Sequence, residues 1–162
     1  TDIYSNKVEK QGKIGMIPVC IKIIDGVEHY LIHKRQKHPY FDYYGFPSGK
    51  AKYGNLFAEE VLRELKEETG LTGKPELKII SHYLTYEKGT TDLLEDKTFF
   101  VYKITEIEGE LLEKTIEGEN KWMTNEDFIK QEKYFEDNLW VSANLNSKGL
   151  VFREERKEME AF

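Results

Sequence analysis

Apolar and polar positions along this chain fall into blocks, each with its own period. The runs IGMIPVCIKII and VEHYLIHKR are rich in β-branched residues and are separated by Asp25-Gly26. Asp-Gly between two apolar runs signals a β-hairpin, because both turn residues tolerate positive φ. The segment QKHPYFDYYGFPSG is punctuated by Pro39, Pro47 and Gly49 and reads as a loop. Ala58, Val61, Leu62 and Leu65 then recur at helical spacing, which predicts a helix over about 56–69. Asn55 is its expected N-cap, and Gly70 stands where a helix end favours a left-handed residue. PELKIISHYLTYE and KTFFVYKITEI are strand-like, with a polar loop from Glu87 to Asp96 between them. GELLE and NKWMT suggest short strands, and a helix follows over about Asn125 to Asp137. The closing VFREERKEMEAF reads as a helix or, preferably, a solvated charged tail. The order β-β-α-β-β-β-α describes an α/β (α+β) single domain, with its core over about 13–137 and a charged stretch over 147–162.

Composition narrows the class. The chain has 162 residues, with 39% hydrophobic and 33% charged, enough to bury one core. A net charge of −6 argues against a general nucleic-acid or membrane-surface partner, since both are anionic. Cys20 is alone, so no internal disulfide forms, and its apolar surroundings mark it as a core thiol. No apolar run is long enough to span a bilayer, and there is no signal-peptide pattern, so the expected location is cytoplasmic. The chain begins at Thr1 rather than Met, which leaves room for residues upstream.

The predicted helix carries Glu59, Glu60, Glu64, Glu67 and Glu68. Turning by about 100° per residue, Glu60, Glu64, Glu67 and Glu68 share one face roughly 100° wide. Val61, Leu65, Ala58 and Leu62 form the core stripe, and Arg63 borders the acidic face. A solvated acidic face usually interleaves Lys or Arg at i±4, and most of these acids lack that relief. Clustered acids raise one another's pKa unless a cation sits among them. Several carboxylates with no nitrogen or sulfur donor suit Mg²⁺, with Mn²⁺ as an alternative.

Gly49, Arg63, Glu64, Leu65, Glu67, Glu68, Gly70 and Leu71 match the Nudix box, G-x5-E-x7-R-E-U-x-E-E-x-G-U, where U is aliphatic. The chain therefore resembles the Nudix hydrolases over about Gly15 to Phe128, with YGFPSGK and KWMTNEDF resembling the family's flanking segments. The departure is Asn55, where the family has Glu. The resemblance implies a mixed β-sheet sandwiched between helices, and hydrolysis of a nucleoside diphosphate linked to another moiety. It implies that Glu67 and Glu68 are metal ligands and Glu64 a ligand or the base that activates water. Arg63 would orient the neighbouring carboxylates. The backbone carbonyl of Ser48 stands where the family often offers a carbonyl to metal, and Glu117, with Glu119 second, is the expected loop acid. Asn55 would be peripheral to the metal cluster.

For the substrate side, Arg35 lies where several relatives place a basic residue near phosphates, although an exposed strand end explains it equally well. Tyr40, Phe41, Tyr43 and Tyr44 precede the box and either stack on a base or form a loop core. Tyr83 and Tyr86 resemble, by position, the tyrosine of some dinucleoside polyphosphate hydrolases. No proline stands where ADP-ribose hydrolases often carry one. His29 and His33 share a strand face but lack a third ligand nearby. The leading reading is a Mg²⁺-dependent pyrophosphohydrolase of the nucleoside triphosphate or dinucleoside polyphosphate type. Its partner is a small-molecule nucleotide, with no nucleic acid or membrane, and a homodimer is an assembly this reading admits. The rival reading is a non-catalytic nucleotide-sensing module.

Overall fold

A computed structural model describes residues 12–160. Thr1 and the last two residues of the charged terminal stretch lie outside that range. The expected hairpin forms as β1 (Lys13–Ile24) and β2 (Val27–Arg35), with Asp25 and Gly26 both at positive φ in the turn. The loop that follows holds two short strands, β3 (Tyr44–Gly45) on β2 and β4 (Gly49–Lys50) on β1.

The first helix, α1, spans Phe57–Thr69 and ends at Gly70, whose φ of 80° lets its N–H reach back to the Lys66 carbonyl at 2.9 Å. Its N-cap differs from expectation. Leu56 occupies that position with no side-chain hydrogen bond, and Asn55 turns instead to the Glu60 carboxylate. The helix begins one residue later than expected, so Asn55 stands just outside the cap, where its Nδ2 donates a charge-assisted bond to Glu60 in place of its Oδ1 accepting from helix N–H groups.

Strands β5 (Thr72–Glu87) and β6 (Leu93–Glu108) run on through most of the expected polar loop, leaving a tight turn between Glu87 and Leu93. GELLE is not a strand. The short strand β7 (Lys114–Thr115) comes just after it and pairs with β8 (Gly118–Met123), which contains NKWM. The expected helix over 125–137 is two helices, α2 (Asn125–Ile129), capped by Thr124, and α3 (Asp137–Asn144). The charged stretch is neither helix nor free tail. It is an edge strand, β9 (Val151–Met159), paired parallel to β5.

The strand order is β7-β8-β2-β1-β6-β5-β9, with β1 parallel to β6 and the other pairs along β7 to β5 antiparallel. The sheet is covered on both faces, so alternate residues of β1 go to different cores. Met16 and Cys20 pack with Leu31, Val61, Leu65 and Tyr102 under α1. Val19, Tyr30 and Ile32 pack on the other face with Val101, Phe128, Val141 and Leu145, beneath α2 and α3. Full burial of side chains such as Val61 and Leu65 contributes about 1.5–3 kcal/mol each, which seats the acidic edge of α1 against the sheet. Cys20 is fully buried, and burial pushes its thiol up to about 12.

Candidate active site

Arg63 organises the acidic edge of α1. Its guanidinium donates to Glu60 at 2.7 and 3.1 Å, to Glu64 Oε1 at 2.9 Å and to Glu67 Oε2 at 2.9 Å. A longer contact of 3.4 Å reaches the Lys50 carbonyl and ties the helix to β4. Glu60, only 1% exposed, accepts from Arg63, from the Lys52 backbone N–H at 2.7 Å and from Asn55 Nδ2 at 2.9 Å. These bonds, Arg63 first, hold its carboxyl down to about 2. Helical spacing put Glu60 on the metal face. The structure uses it as the anchor of Arg63, which sequence reasoning missed. An acid three residues before the box arginine, beside an Asn in place of the family's Glu, was the available signal.

Glu64 packs against β4 so closely that a Cβ on Gly49 would run into its carboxylate. This explains why glycine is needed there. Burial raises the Glu64 carboxyl above its usual range, against the pull of Arg63. Glu68 is 8% exposed, and its Oε2 is buried with no hydrogen-bond partner. Burial, then the charges of Glu64 and Glu117, push its carboxyl up to about 8. Burial also works to raise Glu117, but the Lys37 ammonium at 3.0 Å outweighs it and holds that carboxyl below its usual range.

One further residue, Asn120, carried no local signal, and His33 has a role other than the metal pairing with His29 weighed above. Asn120 on β8 donates to the carbonyls of Glu68 at 2.7 Å and Leu112 at 2.8 Å, and its Oδ1 lies 2.8 Å from His33 Nδ1. This buried pair fixes the C-terminal turn of α1, and therefore Glu68, against β2 and β8. His33 is thus occupied with Asn120, and His29 sits apart, with its ring on the Val27 carbonyl.

These side chains open into a cleft of about 1000 Å³. Ser48, Glu64, Glu68, Glu117 and Arg35 line it together with His33, Lys37, Tyr83, Lys97 and Phe99. Glu67 and Arg63 flank the lining, and Glu119 faces Lys114 instead. Two expected substrate contacts do not line the cleft. Tyr44 is half-buried against the core, with the Lys34 and Lys121 ammonium groups over its ring. Tyr86 lies on the opposite face of β5 from the lining residues Tyr83 and Thr85, because strand side chains alternate. Tyr40, whose ring packs edge-on to Tyr43 and Phe135, does reach the cleft. Among the described residues, no three His, Cys, Asp or Glu side chains already converge on one point as a metal cage. The reason is visible in the pairing, since Arg63 holds Glu64 and Glu67 and Lys37 holds Glu117.

The family profile of the NUDIX domain matches residues 16–143. Among solved structures, the MutT protein of Bacillus halodurans superposes with a TM-score of 0.71 at 26% identity, over 89% of each chain. The Nudix domain of Shewanella oneidensis NrtR, solved with ADP ribose, gives 0.70 at 18% identity over 88% of this chain and 91% of that one. A MutT Nudix hydrolase of Burkholderia pseudomallei gives 0.66 at 18% identity, over 85% and 100%. The chain belongs to the Nudix family, the hydrolases of phosphoric anhydride bonds.

Proposed function

We propose that this Nudix hydrolase is a Mg²⁺-dependent pyrophosphohydrolase that cleaves a nucleoside diphosphate linked to another moiety, of the nucleoside triphosphate or dinucleoside polyphosphate type. The observation that carries the reading is the orphaned Glu68 Oε2, a buried carboxylate oxygen beside two more acids. An unpaired buried polar atom costs about 1–3 kcal/mol, and a divalent cation removes that cost. The donor set fits Mg²⁺, with Mn²⁺ as a substitute, since every candidate ligand is oxygen. Glu64, Glu67, Glu68, Glu117 and the Ser48 carbonyl are the groups that would hold it.

When bound, the metal would supply a water of lowered pKa and offset charge on the phosphoryl oxygens. Arg63 fixes the orientation of Glu64 and Glu67. Glu64 keeps its Oε2 for the metal or, as base, for the proton of the attacking water. Arg35 and Lys37 line the same cleft and offer cationic contacts to the phosphates. The products are a nucleoside monophosphate and the remaining moiety, which is pyrophosphate for a triphosphate substrate.

The regulatory reading, a nucleotide sensor without turnover, draws on the likeness to the NrtR domain, which at 18% identity is a likeness of fold. The intact Glu64, Glu67 and Glu68 favour catalysis. Incubation with a nucleotide panel and Mg²⁺, read by chromatography, tests the proposal. Monophosphate formation that EDTA abolishes is expected. Tight nucleotide binding without product would replace it with the sensor reading.

A further inference from the structure

On the sheet face opposite α1, the cleft floor carries a row of cations, and among the charges acting on its half-buried member, Lys97, Glu95 is the one acid. Lys13 of β1 and Lys97 of β6 are register partners on neighbouring strands, an arrangement that like charges disfavour. In a neighbouring row, Gly15 pairs with Lys50 on one side and Phe99 on the other. Because Gly15 has no side chain, the Lys97 stem and the Phe99 ring fill its place, and a Cβ there would lie 3.2 Å from Lys97 Cε and 2.7 Å from the ring. The half-buried Lys97 ammonium sits 4.6 Å from the Phe99 ring centroid and, among the described residues, has no hydrogen-bond or ion-pair partner. The charges that act on it are Glu95, Lys13, Lys50 and Arg35. Glu95 is already bridged to Lys13 at 3.4 Å, and Arg35 spends its Nε on the Pro39 carbonyl at 3.0 Å.

Burying a cation without a counter-charge is costly, and the usual outcome is an ion pair. Here burial depresses the Lys97 pKa and no pair forms. All four cations line the same cleft as Glu64, Glu68 and Glu117.

We propose that Lys97, with Lys13, Lys50 and Arg35, forms a subsite for a phosphate group of the substrate beyond the anhydride that is cut. The inference rests on the hydrolase reading above and adds to it the residues that would meet the outer phosphate. The cleft is built for a chain of three or more phosphates, as in a nucleoside triphosphate or dinucleoside polyphosphate, over a diphosphate joined to a neutral sugar. Phe99 and Tyr83 supply apolar faces beside the row, and the Lys157 ammonium lies 3.8 Å from the Tyr83 ring, adding a further positive charge at that end.

The test separates the subsite from turnover. Calorimetric titration of the full chain with inorganic tripolyphosphate, in EDTA and at low salt, reads the subsite alone. Lys97→Gln is expected to weaken tripolyphosphate binding at least ~10-fold, to weaken pyrophosphate less, and to leave the ligand-free melting temperature equal or higher. Lys22→Gln, on β1 but outside the cleft, controls for net charge and is expected to change nothing. With Mg²⁺, Lys97→Gln is expected to lower kcat/KM for ATP relative to ADP-ribose, chiefly through KM. Equal tripolyphosphate binding by wild type and Lys97→Gln overturns the subsite. So does an equal loss in Lys22→Gln, or no measurable binding by the wild type. If no nucleotide is hydrolysed, the hydrolase reading fails, and the metal-free titration still decides the subsite.

Discussion

One arginine holds the acidic edge of α1 in order, and its own anchor is unusual. The family's box has Glu where this chain has Asn55; here the carboxylate that meets Arg63 is that of Glu60, and Asn55 donates to it. Removing its charge is expected to free Arg63 from its tightest contact and misalign Glu64 and Glu67. Glu60→Gln should therefore cut Mg²⁺-dependent turnover about 10–100-fold and weaken Mn²⁺ binding read by electron paramagnetic resonance. Adding Asn55→Glu to that variant puts a carboxylate next to position 60, where Asn55 Nδ2 lies 2.9 Å from Glu60 Oε1, and should recover part of the loss. Failure of the double variant to recover either readout would show that charge beside Arg63 is not what matters. Because the Glu60 carboxyl is held near 2, its stabilising contribution is present above its ordinary value of 4.5 and is lost as pH falls toward 2. The stability gap between wild type and Glu60→Gln should therefore be flat at neutral pH and close in acid. Glu68→Gln carries the opposite signature: turnover down at least ~100-fold, with metal-free stability unchanged or raised, since its Oε2 has no hydrogen-bond partner and burial disfavours its charge. Near-normal turnover in that variant would sink the metal assignment. At the loop acid, Glu117→Ala should impair activity more than Glu119→Ala, because Glu117 lines the cleft and Glu119 faces Lys114.

At the level of elements, what was legible in the sequence was what short-range physics decides. The β1–β2 hairpin followed from Asp25-Gly26, and the end of α1 from Gly70. The last strand, β9, was not legible, because REERKE has neither an apolar run nor a clean alternation. Its backbone is held by β5, some 70 residues earlier, and its side chains are mostly exposed, as befits an edge strand guarded by charge. His82 on β5 helps to dock it, with Nδ1 at 2.8 Å from Glu154 on β9 and Nε2 at 2.7 Å from Asp96 on β6. Both contacts are strongest when both ring nitrogens carry protons, and the Glu154 and Asp96 bonds raise the His82 pKa. For a raised histidine, the stabilisation is full below the unfolded value near 6.5 and fades as pH rises through the folded value. Since the pair is partly exposed, its worth is under about 1 kcal/mol. His82→Gln is therefore expected to lower the melting temperature by a degree or two at pH 6 and to be neutral at pH 9. A constant difference across that range would assign His82 a packing role instead.

At the scale of the whole molecule, the site is assembled from parts that no local pattern joins. The box carboxylates were legible because they lie within one helix. The Asn120–His33 contact spans 87 residues, and the place of Tyr83 rather than Tyr86 in the cleft depends on strand register. Clustering acids around a buried Glu68 makes its ionised form costly in the metal-free protein. Its carboxyl, raised by burial and by Glu64 and Glu117 to about 8, favours the fold in its neutral form. The contribution is thus present below about 4.5 and is lost as pH climbs through about 8. In EDTA, the melting temperature should fall over that window more steeply in wild type than in Glu68→Gln. Mg²⁺ should reverse the fall, because a ligand that binds only the folded state stabilises it by about 2.7 kcal/mol at 100 times its Kd. For a chain of this size that is roughly 5–10 °C, and Glu68→Gln should show little of it. Thermal melts at pH 6 and pH 8.5, with EDTA and with saturating Mg²⁺, measure all four corners of this coupling. An Mg²⁺ shift of equal size in wild type and Glu68→Gln would place the ion elsewhere and remove Glu68 from the metal site.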